Sequence, residues 1–406
     1  MEKTNNGADL GFDPERLERL NAWMARYVEG GRLPGAVTLI ARHGELAFCD
    51  WTGRRDVARD KPWEGDTIVR AYSMSKPITS VALMMLYEHG LFHLDDPVAR
   101  FLPELSDLKV LRPGATSISD VEDCRETMTV RHLLTHMSGL TYGFQGGVLG
   151  EAYEERKLAF GPKGESLEAG VKQLADLPLN FQPGSRWNYG VSTDVVGRLV
   201  EVISGQDLKS YLDEKILGPL GMEDTFFGIP DAKLDRYAEL YTPDETTPLK
   251  LVDTAEKSVY REAGVKTWSG GGGLQSTIGD YWKFAEMLRR GGETADGKRL
   301  LGPRTVEFMA SNHLDGDLAA NGQPVFSEVS YAGIGFGLGF AVMLNPAKSE
   351  TMGSPGDFGW GGMASTVFWV DPVEDMVVIF MTQLMPSSFY PIRKELRALV
   401  HQALVD

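Results

Sequence analysis

The stretch Ser73-Met74-Ser75-Lys76 and the apolar run behind it constrain this chain more than any other feature. Ile78, Val81, Ala82, Met84 and Met85 recur at three- and four-residue steps, the period of one helix face, and Gly90 follows as a stop. A helix there places Ser73 at its N-terminus and Lys76 one turn in, on the same side. Pro77 is compatible, because a first-turn N–H has no intrahelical partner to lose. A serine hydroxyl at the positive end of a helix, one turn from an ammonium, suits a nucleophile whose attack creates an oxyanion. It also suits a plain helix cap. A second Ser-x-x-Lys, at 106–109, sits in a Pro- and Asp-punctuated stretch with no helical face behind it, so the bare pattern is cheap.

The 406 residues have room for two domains, or for one large domain with an insertion. A net charge of −16 argues against a nucleic-acid surface, which needs a basic face, and matches anionic membranes poorly. Two cysteines, Cys49 and Cys124, build no disulfide framework and read as buried or incidental thiols. The first seven residues are polar and lack the apolar core of a secretory signal, and no run approaches 18 apolar residues. A cytoplasmic protein without a membrane span is the expectation.

Asp13 and Pro14 read as cap and first residue of a helix carrying Leu17, Leu20, Trp23, Met24 and Tyr27 on one face. Residues 35–41 and 45–51 are β-rich runs joined at His43-Gly44, a hairpin. From about 91 to 225 the pattern is mostly helical. His132 and His136 stand four apart, but no Glu follows His132 and no third metal ligand is evident, so both read as structural. Residues 141–170 read as a solvated surface loop that could border a substrate entrance. Ser192 reads as the cap of a helix over 193–203, which puts Tyr189 in the turn before it. A helix over 208–217 is expected to stop at Gly218-Pro219. The four glycines 270–273 permit unusual backbone angles or close approach, without the setting of a phosphate loop. Residues 334–344, 364–370 and 376–383 read as three strands, with Trp360-Gly361-Gly362 ahead of the second. A helix with Ile392, Leu396, Leu399, Val400 and Ala403 closes the chain.

Several blocks then carry a resemblance: Tyr72-Ser73-Met74-Ser75-Lys76-Pro77, the run Leu133 to Leu140, Pro219-Leu220-Gly221-Met222 and the run Gly271 to Thr277, in that order, together with Tyr189 and Trp360-Gly361-Gly362. The chain resembles the serine β-lactamase/penicillin-recognising superfamily, and within it the family VIII carboxylesterases, from about residue 12 to the C-terminus. The resemblance implies an α/β (α+β) fold. An antiparallel sheet flanked by helices, from 1–75 and 226–406, would carry a mostly helical domain inserted at 76–225, with the site in the cleft between them. It implies Ser73 as nucleophile, Lys76 and Tyr189 as acid/base pair, the backbone amides of Ser73 and Met363 as oxyanion hole, and Trp360, Gly361 and Gly362 against substrate. Glycines at 361 and 362 would let substrate approach the backbone. No cofactor and no metal are implied, and the partner is a small ester.

The chemistry agrees in size. A phenol ionises near pH 10, so phenolate at pH 7 costs roughly 4 kcal/mol. An ammonium about 4 Å away, at an effective dielectric of about 20, returns roughly as much. Whether Lys76 or Tyr189 takes the serine proton is open in the sequence. Two departures from class C β-lactamases bear on substrate: Val191 replaces the Asn of Tyr-x-Asn, and Trp360-Gly361-Gly362 replaces Lys-Thr-Gly. Both weaken the hold on a β-lactam and neither harms attack on an ester. The expected activity is carboxylester hydrolysis of short- to medium-chain acyl esters. Acyl transfer, β-lactam or D-Ala-D-Ala hydrolysis, and a non-catalytic sensor are the rivals.

Overall fold

The computed structural model describes residues 1–244, 249–326 and 329–406. Among them one antiparallel sheet of nine strands organises the chain. Eight are Thr4–Asn5 (β1), Gly35–Arg42 (β2), Glu45–Asp56 (β3), Ile334–Phe336 (β4), Ala341–Met343 (β5), Phe358–Gly361 (β6), Val367–Asp371 (β7) and Met376–Thr382 (β8). They run β1-β3-β2-β8-β7-β6-β5-β4 across the sheet, and Lys61–Pro62 pairs with β3 beside that path. The N-terminal hairpin thus docks on the C-terminal strands, with Ile40 of β2 opposite Val378 of β8. Five helices frame the sheet and the site: Pro14–Glu29 (α1), Ser75–Glu88 (α2), Ser192–Ser204 (α3), Ile278–Arg289 (α4) and Ile392–His401 (α5).

Alternation along β8 explains the layering. Met376, Val378 and Phe380 join the cluster containing Leu17, Leu20 and Trp23 of α1 and Leu396 and Val400 of α5. Val377, Ile379 and Met381 point the other way, into the cluster containing α2 and α4. A strand covered on both faces loses its polar positions, which is why 376–381 reads as a continuous apolar run. The α1 reading holds to the residue: Asp13 accepts from the N–H groups of Glu15 and Arg16, and all five expected core residues are buried.

Several expectations need correction. α2 is buried on nearly every side rather than along one face, because α3 and the helix begun at Leu208 both pack on it. Residues 334–344 form two short strands, not one, turning at Gly337 and Gly339, the latter at φ +97° and against Ser80 of α2. Trp360 and Gly361 lie within a strand, β6, that the sequence reading missed. Ser192 does not cap α3; Val191 stands at the cap position, and the Ser192 hydroxyl bonds that of Ser138 at 2.8 Å. The helix begun at Leu208 continues past Gly218-Pro219 to Leu220, where Gly221 adopts the left-handed conformation. Residues 141–170 are not a plain loop: they hold a helix, Gly147–Glu155, and wall the cavity beside Ser73. The glycines 270–273 have no positive φ; close approach accounts for Gly270, Gly271 and Gly273, whereas Gly272 has room for a side chain. Cys49 and Cys124 are free thiols, and no helix among the described residues is long and apolar enough to cross a membrane.

Candidate active site

Ser73 lies in a single 3-10 turn, Tyr72–Met74, directly ahead of α2. The chain enters from the short strand Val69–Arg70, and Tyr72 turns it at φ +46°. A bulky residue in that region costs about 1–3 kcal/mol and must be held by its surroundings. The Tyr72 ring stands edge-on to that of Tyr260, centroids 6.2 Å apart.

Lys76, the second residue of α2, is 1% exposed. A buried ammonium is tolerated only when its donors are met. Lys76 donates to the Gly271 carbonyl at 2.7 Å, the Tyr142 hydroxyl at 2.9 Å and Ser73 Oγ at 3.3 Å. Its Nζ also lies 4.6 Å from the centre of the Tyr189 ring. The Tyr189 hydroxyl reaches Ser73 Oγ at 2.6 Å, and Trp360 Nε1 donates to the Tyr189 oxygen at 3.3 Å. The Tyr189 ring is held among those of His136, Tyr142, Trp360 and Trp187, at 5.1, 5.3, 5.4 and 6.1 Å. The structure therefore brings Ser73, Lys76, Tyr189 and Trp360 into one contact network. Of the two histidines, His132 Nδ1 accepts the Thr129 N–H and closes a cap, and His136 packs among the aromatic rings.

Sequence reasoning missed three members of this network. Tyr142 and the Gly271 carbonyl are the two closest partners of Lys76. Asp194, in the first turn of α3, accepts from Ser269 Oγ at 2.6 Å and from the Gly271 N–H at 3.0 Å, while Thr79 of α2 donates to the Gly270 carbonyl at 2.9 Å. Asp194 and α2 thus grip the glycine run from both sides, and a side chain at Gly271 would collide with the Asp194 carboxylate. An acidic residue in a first helical turn is what the helix dipole alone favours, so Asp194 carried no distinctive signal.

Burial sets the charge states. It holds the Tyr142 phenol well above its usual value, with Tyr189 and Asp194 adding to the effect, so Tyr142 is a neutral hydroxyl. It holds His136 well below its usual value, helped by the Lys76 charge, so that ring is neutral. It pushes the Asp194 carboxyl up to about 6, opposed by Lys76 and by the bonds from Ser269 and Gly271. Asp194 is thus ionised at neutral pH and titrates just below it.

A cavity of about 720 Å³ opens beside Ser73, walled by Phe144, Phe160, Phe227, Tyr260, Ile334 and Trp360 among others. Met363 lines it too and is 39% exposed. The two glycines between Trp360 and Met363 are closely packed from the protein side. A Cβ at Gly361 would stand 2.6 Å from Arg393 Nη2, and one at Gly362 would stand 2.5 Å from the Ala71 carbonyl oxygen. Their bare backbone admits the protein's own groups on that side, and both residues also line the cavity.

The architecture is β-lactamase-like. EstCE1, a hydrolase with promiscuous acyltransferase activity, superposes with a TM-score of 0.78 at 26% identity, over 95% of this chain and 99% of that one. Protein Rv1367c of Mycobacterium tuberculosis is 34% identical over 91% of each chain, and the esterase EstB of Burkholderia gladioli is 31% identical over 90% of this chain and 89% of its own. The beta-lactamase family model matches residues 20–402. This chain belongs to the beta-lactamase family, on the esterase branch of the serine β-lactamase-like superfamily.

Proposed function

We propose that, within the serine hydrolases and acyltransferases of this family, the chain is a cofactor-independent carboxylesterase. It hydrolyses short- to medium-chain acyl esters through an acyl-enzyme on Ser73. The observation that carries the reading is the 2.6 Å contact of the Tyr189 and Ser73 hydroxyls, with Lys76 Nζ 3.3 Å from the same Ser73 oxygen. Ser73 Oγ attacks the ester carbonyl, and its proton passes into the Tyr189–Lys76 pair. The pair then returns that proton to the leaving alcohol. Water repeats the sequence on the acyl-enzyme and frees the acid. The Lys76 ammonium lies over the Tyr189 ring and the Trp360 N–H reaches the Tyr189 oxygen, so both stand beside the group through which the serine proton passes. The backbone N–H groups of Ser73 and Met363 receive the oxyanion.

In this reading residues 76–225 supply Lys76 and Tyr189, residues 1–75 and 226–406 supply Ser73 and the 360–363 segment, and substrate enters between them. The mostly apolar walls of the cavity support an acyl chain rather than a charged peptide. Trp360, at the position of the β-lactamase lysine, is engaged with Tyr189 and offers no cation to a β-lactam carboxylate. Acyl transfer to an alcohol is the second reading, favoured by the same cavity, which has room for an acceptor after the first alcohol leaves. The test compares purified enzyme on 4-nitrophenyl butanoate and on a penicillin. Esters are expected to turn over at least a hundredfold faster by kcat/KM; parity would restore the β-lactamase reading.

A further inference from the structure

Arg393 stands in the first turn of α5, on a different element from every residue of the contact network. Its Nη2 donates to the carbonyl of Gly362 at 3.0 Å and to that of Thr366 at 3.3 Å. The guanidinium lies directly over the Cα of Gly361, where a Cβ would stand 2.6 Å from Nη2 and 2.8 Å from Cζ. Arg393 also lines the cavity beside Ser73.

The Gly362 carbonyl and the Met363 N–H belong to one planar peptide unit and point in opposite directions. A cation on the oxygen therefore aims the N–H away from α5. It also draws electron density from the nitrogen and makes the N–H a stronger donor. The ladder of β6 ends at Gly361, opposite Val367, so pairing within the sheet does not fix this unit. Glycine on its N-terminal side offers little steric resistance to a peptide flip. A flip would turn a carbonyl dipole toward the place where the N–H is needed. Gly362 packs on the Ala71 carbonyl, two residues before Ser73, so a unit held by Arg393 is also held in register with the nucleophile's turn.

We propose that Arg393 is a positioning residue for the oxyanion hole: it holds and polarises the Gly362–Met363 peptide so that Met363 N–H meets the developing oxyanion. The proposal rests on the esterase reading above. It gives Gly361 a reason to be glycine besides substrate access, and it gives α5 a part in the reaction.

The test uses full-length Arg393→Met and Arg393→Lys, with 4-nitrophenyl butanoate and with a serine-reactive phosphonate read by intact mass. Arg393→Met is expected to lower kcat about 10- to 100-fold, below the roughly 10²–10³ cost of a donor removed outright because the N–H is misplaced rather than deleted. KM should stay within about threefold, and phosphonate labelling of Ser73 should slow in parallel. Arg393→Lys should recover part of the loss, and ethylguanidinium at millimolar concentration should partly rescue Arg393→Ala, which a purely structural role would not allow. Gly361→Ala displaces the guanidinium from the other side and serves if the arginine variants fold poorly; its kcat loss should not add to that of Arg393→Met. Unchanged kcat in a folded Arg393→Met overturns the proposal. A raised KM confined to carboxylate-bearing esters also overturns it and makes Arg393 a substrate-binding group. Failure of the wild type to turn over the ester or to label at Ser73 is a different result and removes the esterase reading itself.

Discussion

Replacing Tyr189 by Phe removes one oxygen and leaves the ring among His136, Tyr142, Trp187 and Trp360. That oxygen makes two described contacts, at 2.6 Å to Ser73 Oγ and at 3.3 Å from Trp360 Nε1. The second is long, and losing both costs about 1–2 kcal/mol of stability. At roughly 2 cal/mol/K of unfolding entropy per residue, that moves the Tm of a chain this long by only about 1–2 °C. The first contact is the proposed route of the serine proton. A positioned acid/base group contributes about 10²–10⁴ in rate, or roughly 3–5 kcal/mol of barrier. The substitution should therefore lower kcat on 4-nitrophenyl butanoate by that factor while KM and the melting curve barely move. Stopped-flow release of nitrophenolate, set beside calorimetry, separates the two effects. Activity of Tyr189→Phe within threefold of wild type would refute the argument and leave Lys76 alone, 3.3 Å from the Ser73 oxygen, as the base.

Two further outcomes follow from burial and close packing. The Asp194 carboxyl, raised from 3.8 to about 6 in the fold, contributes stability that is complete below pH 3.8 and is lost as pH rises to 6. Asp194→Asn removes that slope, so its Tm relative to wild type should rise between pH 4 and pH 7 by up to about 3–4 °C, equivalent to about 3 kcal/mol; a pH-independent difference would contradict the burial argument. Gly362→Ala brings a Cβ against the Ala71 carbonyl and Thr366 Oγ1, and should cost about 1–3 kcal/mol by thermal melting and lower kcat as well.

What the sequence shows and what it hides divide along local and long-range physics. α1 is legible because its signals are local: the cap Asp13, Pro14 behind it and a stripe from Leu17 to Tyr27 all agree. β8 is legible because both its faces are covered and its six apolar residues stand in a row. β6 is hidden by its own glycines. Gly359 lies where a side chain would run into the Phe368 carbonyl of the neighbouring strand, and such a contact with β7 leaves no trace in a window around residue 359. The same holds at the site. Ser73, Lys76, Tyr189 and Trp360 are named by short patterns, and the fold brings their side chains together. Tyr142 looks like any aromatic in a Gly-rich stretch, yet it comes 2.9 Å from Lys76 across 66 residues of chain. Asp194 meets Gly271 across 77 residues and Arg393 meets Gly362 from the last helix. Residues 141–170, polar and broken by glycine, hide a cavity wall because Tyr142 and Phe160 face the cavity while most of the charges face solvent.

The most direct test of the account is the reactivity of Ser73 itself. Wild type and Ser73→Ala are assayed on 4-nitrophenyl butanoate, and each is exposed to a serine-reactive phosphonate and weighed intact. The account predicts turnover by wild type and none above background by the variant, with one adduct, on Ser73, in wild type alone. Undiminished hydrolysis by Ser73→Ala, or an adduct on another residue, would contradict it.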